Sequence, residues 1–156
     1  MLVLALAAVL AAAPAPPTDM TRSTLTDICL PYVTGETTNP SALEVLGYTE
    51  TPAPEADTRT FQSADQAHLL RLTTEGSVED HNLNRVCVIQ ARRGGLEAAR
   101  RSVQPVIREQ GFAAEAGLPA ERPIWTKGGV TVSLRHNPGA AAVVRVTFSS
   151  LEAEGY

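Results

Sequence analysis

Arg85-Val86-Cys87-Val88-Ile89-Gln90-Ala91, then Arg92-Arg93-Gly94-Gly95, then residues 96–111, LEAARRSVQPVIREQG, form the passage that decides the fold class. In the first seven residues successive side chains point to opposite faces, so that Val86, Val88 and Gln90 share one side of a strand and Cys87, Ile89 and Ala91 the other. Past the glycine pair the spacing changes. Leu96, Ala99, Val103 and Ile107 recur on one face of a helix that Gly111 ends. Pro105 inside that run predicts a kink or an early break. A strand that hands over directly to an amphipathic helix calls for both element types in one core.

Reading outward, Ala67 to Thr74 has strand character and is joined to residues 85–91 by the polar stretch 75–82, as in a hairpin or meander. Downstream, Ile124 to Thr126, Val130 to Arg135 and Ala141 to Ser149 read as strands, with turns at Lys127-Gly128-Gly129 and His136-Asn137-Pro138-Gly139. Val130, Val132 and Leu134 alternate on one face, as do Val144, Val146 and Phe148. Upstream, Ser23 can cap a helix carrying Leu25, Ile28, Cys29, Tyr32 and Val33, shortened or kinked at Pro31 and ended at Gly35. A second short helix starts at Asn39-Pro40, carries Leu43 and Leu46 and stops at Gly47, with Tyr48 packed back on it. Thr49 to Gln66, rich in Pro, Ala, Thr and acidic residues, reads as a surface connection pinned at Phe61. The expectation is an α+β domain: a mostly antiparallel sheet of four to five strands, one main packed helix at about 94–110, and two short N-terminal helical segments.

Residues 1–17 are of a different kind. The apolar run from Leu2 to Ala13 passes into Pro14, Ala15, Pro16 and Pro17. Its length suits a signal-peptide core of about 7–15 residues and falls short of the roughly 20 needed to span a bilayer. No Lys or Arg precedes it, which leaves the start and the cut open: Ala11-Ala12-Ala13 would place Pro14 just after cleavage, and Val9-Leu10-Ala11 is the alternative. The expectation is an exported protein, periplasmic or secreted, with no membrane span in the mature chain. Residues 18–156 then suffice for one domain with one core. The formal net charge of −4 argues against a general nucleic-acid binder, and aromatics at 4% weaken any base- or sugar-stacking surface.

Export gives the two cysteines their meaning, because disulfides persist outside the cytosol. Cys29 and Cys87 are expected to pair, closing a loop of roughly 60 residues and contributing about 4 kcal/mol on chain-entropy reasoning. With no Cys-x-x-Cys spacing and no nearby histidine, a redox dithiol and a metal site are disfavoured, and no cofactor is implied. At Ile28-Cys29-Leu30-Pro31, Gly47-Tyr48 and Arg85-Val86-Cys87-Val88 the chain resembles small exported two-cysteine proteins of alphaproteobacteria. That resemblance implies location and a disulfide rather than an activity.

The best local candidate for chemistry is Arg92-Arg93-Gly94-Gly95, where two guanidinium groups sit beside free N–H groups at a helix start, a setting able to hold a phosphate or carboxylate. The spacing matches neither a P-loop nor a dinucleotide fingerprint. Arg100, Arg101 and Arg108 extend the patch and Glu97 and Glu109 interrupt it; the bland alternative is a solvated helix face with Glu97–Arg101 support. His68, His81 and His136 are isolated, and Ser63, Ser77, Ser102 and Ser133 lack a nucleophile-elbow setting. Trp125 reads as a core residue. No reaction is named by these residues. Three functional classes stand: a non-catalytic binding or accessory domain with an envelope protein partner, a small anionic-ligand module at Arg92–Gly95, and a hydrolase whose residues only the fold assembles.

Overall fold

In the computed structural model, which describes residues 19–36, 40–77, 79–137 and 141–153, the strand-to-helix passage folds as β4 (Asn84–Ala91) and α4 (Gly95–Gln110). Before it come α1 (Met20–Thr24), a π-helical turn (Leu25–Cys29), α2 (Leu30–Thr34), α3 (Pro40–Val45), β1 (Tyr48–Thr51), β2 (Thr58–Ser63) and β3 (His68–Glu75). After it come β5 (Ala113–Ala114), β6 (Ile124–Lys127), β7 (Val130–His136), β8 (Ala142–Ser149) and α5 (Ser150–Ala153). The apolar segment 1–17, the Asn39 cap, Val78 and the Pro138-Gly139 part of the last turn lie outside the described residues.

The α+β expectation holds, and the strand count does not: one sheet of eight antiparallel strands replaces four to five. Most of the excess comes from residues 49–66, expected to be a surface connection. Thr58, Thr60 and their neighbours form β2, paired with β1 and β3 through Glu50↔Phe61 and Phe61↔Leu70. Here β-branched threonine supplies strand propensity without apolar alternation, and Phe61 is buried as expected, at 3% exposed. β5 is a two-residue addition at the other edge, and α5 was likewise not expected.

The strand order β1-β2-β3-β4-β8-β7-β6-β5 divides the molecule into two meanders, each preceded by helix, that meet where β4 pairs with β8. Register across that seam sets Cys87 opposite Val146 and Ile89 opposite Val144. These residues, with Leu70, Leu72, Val132 and Leu134, face the helical layer and are almost fully buried. Beneath them lie Leu25, Ile28 and Val33 of the N-terminal helical run and Val103 and Val106 of α4. Burial of each such side chain contributes about 1.5–3 kcal/mol, so both helical elements are held to this face by packing.

Three local readings are corrected. Asp19, not Ser23, caps α1, its Oδ1 accepting from the Arg22 N–H at 2.9 Å. Pro31 neither shortens nor ends the first helix; the chain widens by one π turn ahead of it, the Leu30 N–H reaching Leu25 O, and continues to Gly35. A π turn relieves the clash a proline ring makes with the carbonyl four residues before it. Pro105 also fails to break its helix, because α4 buries Ala99, Ser102, Val103, Val106 and Ile107 around it. That helix ends as expected at Gly111, in a left-handed conformation with the Phe112 N–H bonded to Ile107 O.

The covalent expectation is met: Cys29 and Cys87 form a disulfide, with Cα atoms 5.3 Å apart and both residues fully buried. The bond fastens the π turn to the centre of β4. Around it, Arg85 at the start of β4 reaches Val33 O near the end of α2, a cation at a helix C-terminus. The Tyr48 hydroxyl bonds Thr24 at 3.0 Å.

Candidate functional site

The Arg92–Gly95 turn is formed as the sequence suggests. Gly94 and Gly95 both take positive φ, and no side chain caps the first N–H groups of α4. Its guanidinium groups, however, turn back on the β2–β3 hairpin. Arg93 lies 3.5 Å from Asp65, and Arg92 reaches Gln66 O while its backbone N–H donates to Ala67 O at 2.9 Å. Glu97 pairs with Arg100 at 3.6 Å rather than with Arg101, and the Arg100 guanidinium also donates to Ala120 O. Arg101 is exposed at the rim of the cleft beside His68.

Asp65 belongs to a network that fixes the hairpin. Ser63 Oγ donates to Asp65 Oδ1 at 2.7 Å, the Ala67 N–H donates to the same oxygen at 3.0 Å, and the His68 N–H donates to Ser63 Oγ at 3.0 Å. The bonds from Ser63 and then Ala67 hold the Asp65 carboxyl below the usual carboxylate range. His68 follows on β3 with Nε2 3.0 Å from Thr21 Oγ1 of α1. Burial lowers its pKa, opposed by the carboxylates of Asp65 and Asp19, so the neutral imidazole is favoured. This contact ties α1 to the sheet. Beside it opens a shallow cleft of about 370 Å³, lined by Asp19, Thr21, His68, Arg93, Arg101 and Ser102 among others. The hydroxyl–imidazole pair was missed because its hydroxyl belongs to a helix and lies 47 residues from the histidine.

The remaining sequence candidates do not converge. His81 sits in the turn before β4, its carbonyl accepting from Ser150 Oγ; His136 is exposed at the end of β7; Ser77 bonds Asp80; and Ser102 bonds Ala98 O within α4. Trp125 is 8% exposed and lies in the core. A second groove of about 350 Å³ runs between Leu30 and Pro31 on one side and Phe112 and Val130 on the other. No group of three or more His, Cys, Asp or Glu able to hold a metal occurs among the described residues. No described helix is long and apolar enough to cross a membrane.

The helices cover one side of the sheet, and pleating sends the alternate side chains to the other. Register places Arg71, Val88, Arg145 and Ser133 in one row across β3, β4, β8 and β7 of that second face. Arg135 is two residues beyond Ser133. Thr60, Gln62, Leu69, Val86, Gln90, Thr131 and Thr147 share the face, each partly exposed. Arg71, Arg135 and Arg145 are exposed, and none has a hydrogen-bond or ion-pair partner among the described residues. Alternation within each strand could have assigned these arginines away from the core; their alignment depends on β4 pairing with β8, which no local pattern announces. No family model matches the chain, and neither a curated protein nor a solved structure matches it.

Proposed function

We propose that the chain is an exported, non-catalytic binding or accessory domain that takes a macromolecular partner on the open face of its sheet. The observation that carries this reading is the face turned away from the helices, exposed or partly exposed along its central row although Thr58, Thr73 and Val143 on it are buried. Eight strands span about 34 Å at the usual spacing and the longer strands add more than about 20 Å, which together approach the ~800 Å² per partner of an ordinary protein interface. Its Thr, Ser, Gln, Val, Leu and Arg side chains bring together no acid, base and nucleophile: the depression at its centre, beside Arg71, Val88 and Gln90, holds only about 70 Å³, and the larger one at its β6–β7 end is lined by Thr126, Thr131, Glu115 and the Gly128–Gly129 turn. The disulfide supports an oxidising compartment, in keeping with the leader-like segment and with the resemblance to small exported two-cysteine proteins.

The test is site-specific photo-crosslinking in intact cells, with the reactive side chain at Val88 or Thr131 on the open face and at Glu109 on the helical side. Recurrent adducts from the open face alone are expected. Equal yields at all three positions, or none from the open face, would overturn the reading.

A second reading rests on the cleft beside His68, where Arg93 and Arg101 face a space large enough for a small anion. Phosphate or citrate is then expected to raise the melting temperature, and Arg93→Gln/Arg101→Gln to abolish that rise. An unchanged rise in the double variant removes this reading.

A further inference from the structure

We infer that the partner on the open face presents carboxylates: the row Arg71–Val88–Arg145, continued by Arg135, is a docking surface for an acidic protein segment. The inference rests on the open-face reading and specifies its partner. Arg71 and Arg145 flank Val88 on the two neighbouring strands, two strand spacings or about 10 Å apart. Arg135 sits diagonally from Arg145 on β7, about 7–8 Å away. Three unpaired guanidinium groups therefore cross the centre of the sheet in a band. The acids of this face stand at its margins: Glu75, four residues from Arg71 at the far end of β3 and so about 13 Å off, and Glu115, which continues β5 opposite Ile124 at the other edge.

Charge complementarity selects among occupants. A second copy docked face to face by a two-fold would set arginine against arginine and bury like charges, which opposes self-association through this face. Single-stranded nucleic acid needs stacking platforms, whereas every aromatic of the described strands, namely Tyr48, Phe61, Trp125 and Phe148, falls by register on the covered face. The same lack removes the rings that stack on sugars, and the large apolar side chains of this face, Leu69 and Ile124, are only partly exposed and stand on well-separated strands, too little apolar surface to enter a bilayer. What remains is a short stripe of Leu69, Val86 and Val88 bordered by arginines, the apolar centre with guanidinium anchors that protein interfaces favour. Since the whole chain carries −4, indiscriminate attraction of polyanions is opposed and the pull is local to this band.

The experiment is fluorescence anisotropy of the protein with short fluorescein-labelled poly-L-glutamate at low salt. Parallel arms use polygalacturonate, phosphatidylglycerol vesicles and a single-stranded oligodeoxynucleotide. Saturable binding to polyglutamate is expected, weakened at least about tenfold in Arg71→Gln/Arg135→Gln/Arg145→Gln and unchanged in Arg22→Gln/Arg108→Gln on the helical side. Amide shifts on titration should fall on β3, β4, β8 and β7, and the exposed positions leave the circular dichroism spectrum intact. Equal binding by the triple variant, shifts on the helical side, or arginine-dependent binding in another arm without polyglutamate would overturn the inference. Open-face crosslinks that persist while polyglutamate fails to bind would overturn the acidic partner alone; loss of both would remove the open-face reading with it.

Discussion

Single residues carry three features open to direct measurement. The Cys29–Cys87 bond closes a loop with a sequence separation of 58, and its replacement by alanine at both positions should lower unfolding free energy by about 4 kcal/mol. Guanidinium denaturation of both forms without reductant reads that loss; a change under about 1 kcal/mol would mean the reduced chain is already constrained. Tyr48 is buried with its hydroxyl on Thr24, and burial pushes its pKa up to about 12. The native state thus keeps a proton that the unfolded chain releases near pH ~10, so this stability is whole below pH ~10 and is lost as pH rises toward about 12. Absorbance at 295 nm should show a late tyrosine ionisation toward pH about 12 that is missing in Tyr48→Phe. His68 has the opposite sign. Its folded pKa is depressed, so its contribution is present above the unfolded value of about 6.5 and declines as pH falls below it. Thermal melts from pH 7 to pH 5 should steepen this loss in the parent relative to His68→Gln, and equal slopes would rule out His68 as its source.

Among the elements, the β6–β7 hairpin tests turn chemistry most cleanly. Lys127 pairs with Val130, leaving Gly128 and Gly129 as a two-residue turn with φ of +53° and +76°, the positive values a type I′ turn requires. A Cβ on Gly129 would stand 2.7 Å from the Ala153 Cβ, whereas one on Gly128 meets nothing within 4 Å. Gly129→Ala should therefore cost about 1–3 kcal/mol and Gly128→Asn no more than about 0.5, compared by chemical denaturation. Equal losses would place the whole effect in the backbone. This turn was legible in the sequence because two glycines stand between alternating strands. β2 was not, because Thr58 and Thr60 give propensity without an apolar rhythm, and its burial comes from β1 and β3 on either side. Neither proline ended its helix, for related reasons: at Pro31 the helix changed its pitch locally, and at Pro105 the buried face of α4 outweighed about 3 kcal/mol of helix penalty.

For the whole molecule, the open face carries charge that the fold does not neutralise. Neutral glutamine at Arg71, Arg135 and Arg145 should leave the unfolding midpoint unchanged or slightly raised, within about 0.5 kcal/mol, while binding falls. A large loss of stability would make the three arginines parts of the fold rather than of a surface. Alternation within each strand was enough to assign the arginines outward, as with Arg145 between Val144 and Val146, though they were not singled out from the sequence. The band they form was hidden, since residues 71 and 145 become near neighbours only through the β4–β8 seam. That seam has another consequence. Both sulfurs belong to the first helix-and-meander half, so the covalent lock never crosses into the second. A polypeptide delivered amino end first can be oxidised as soon as residue 87 has emerged, with all of β5–β8 still to come. On such a route the disulfide would be free to close before β8 pairs with β4, because neither of its sulfurs waits for the later half.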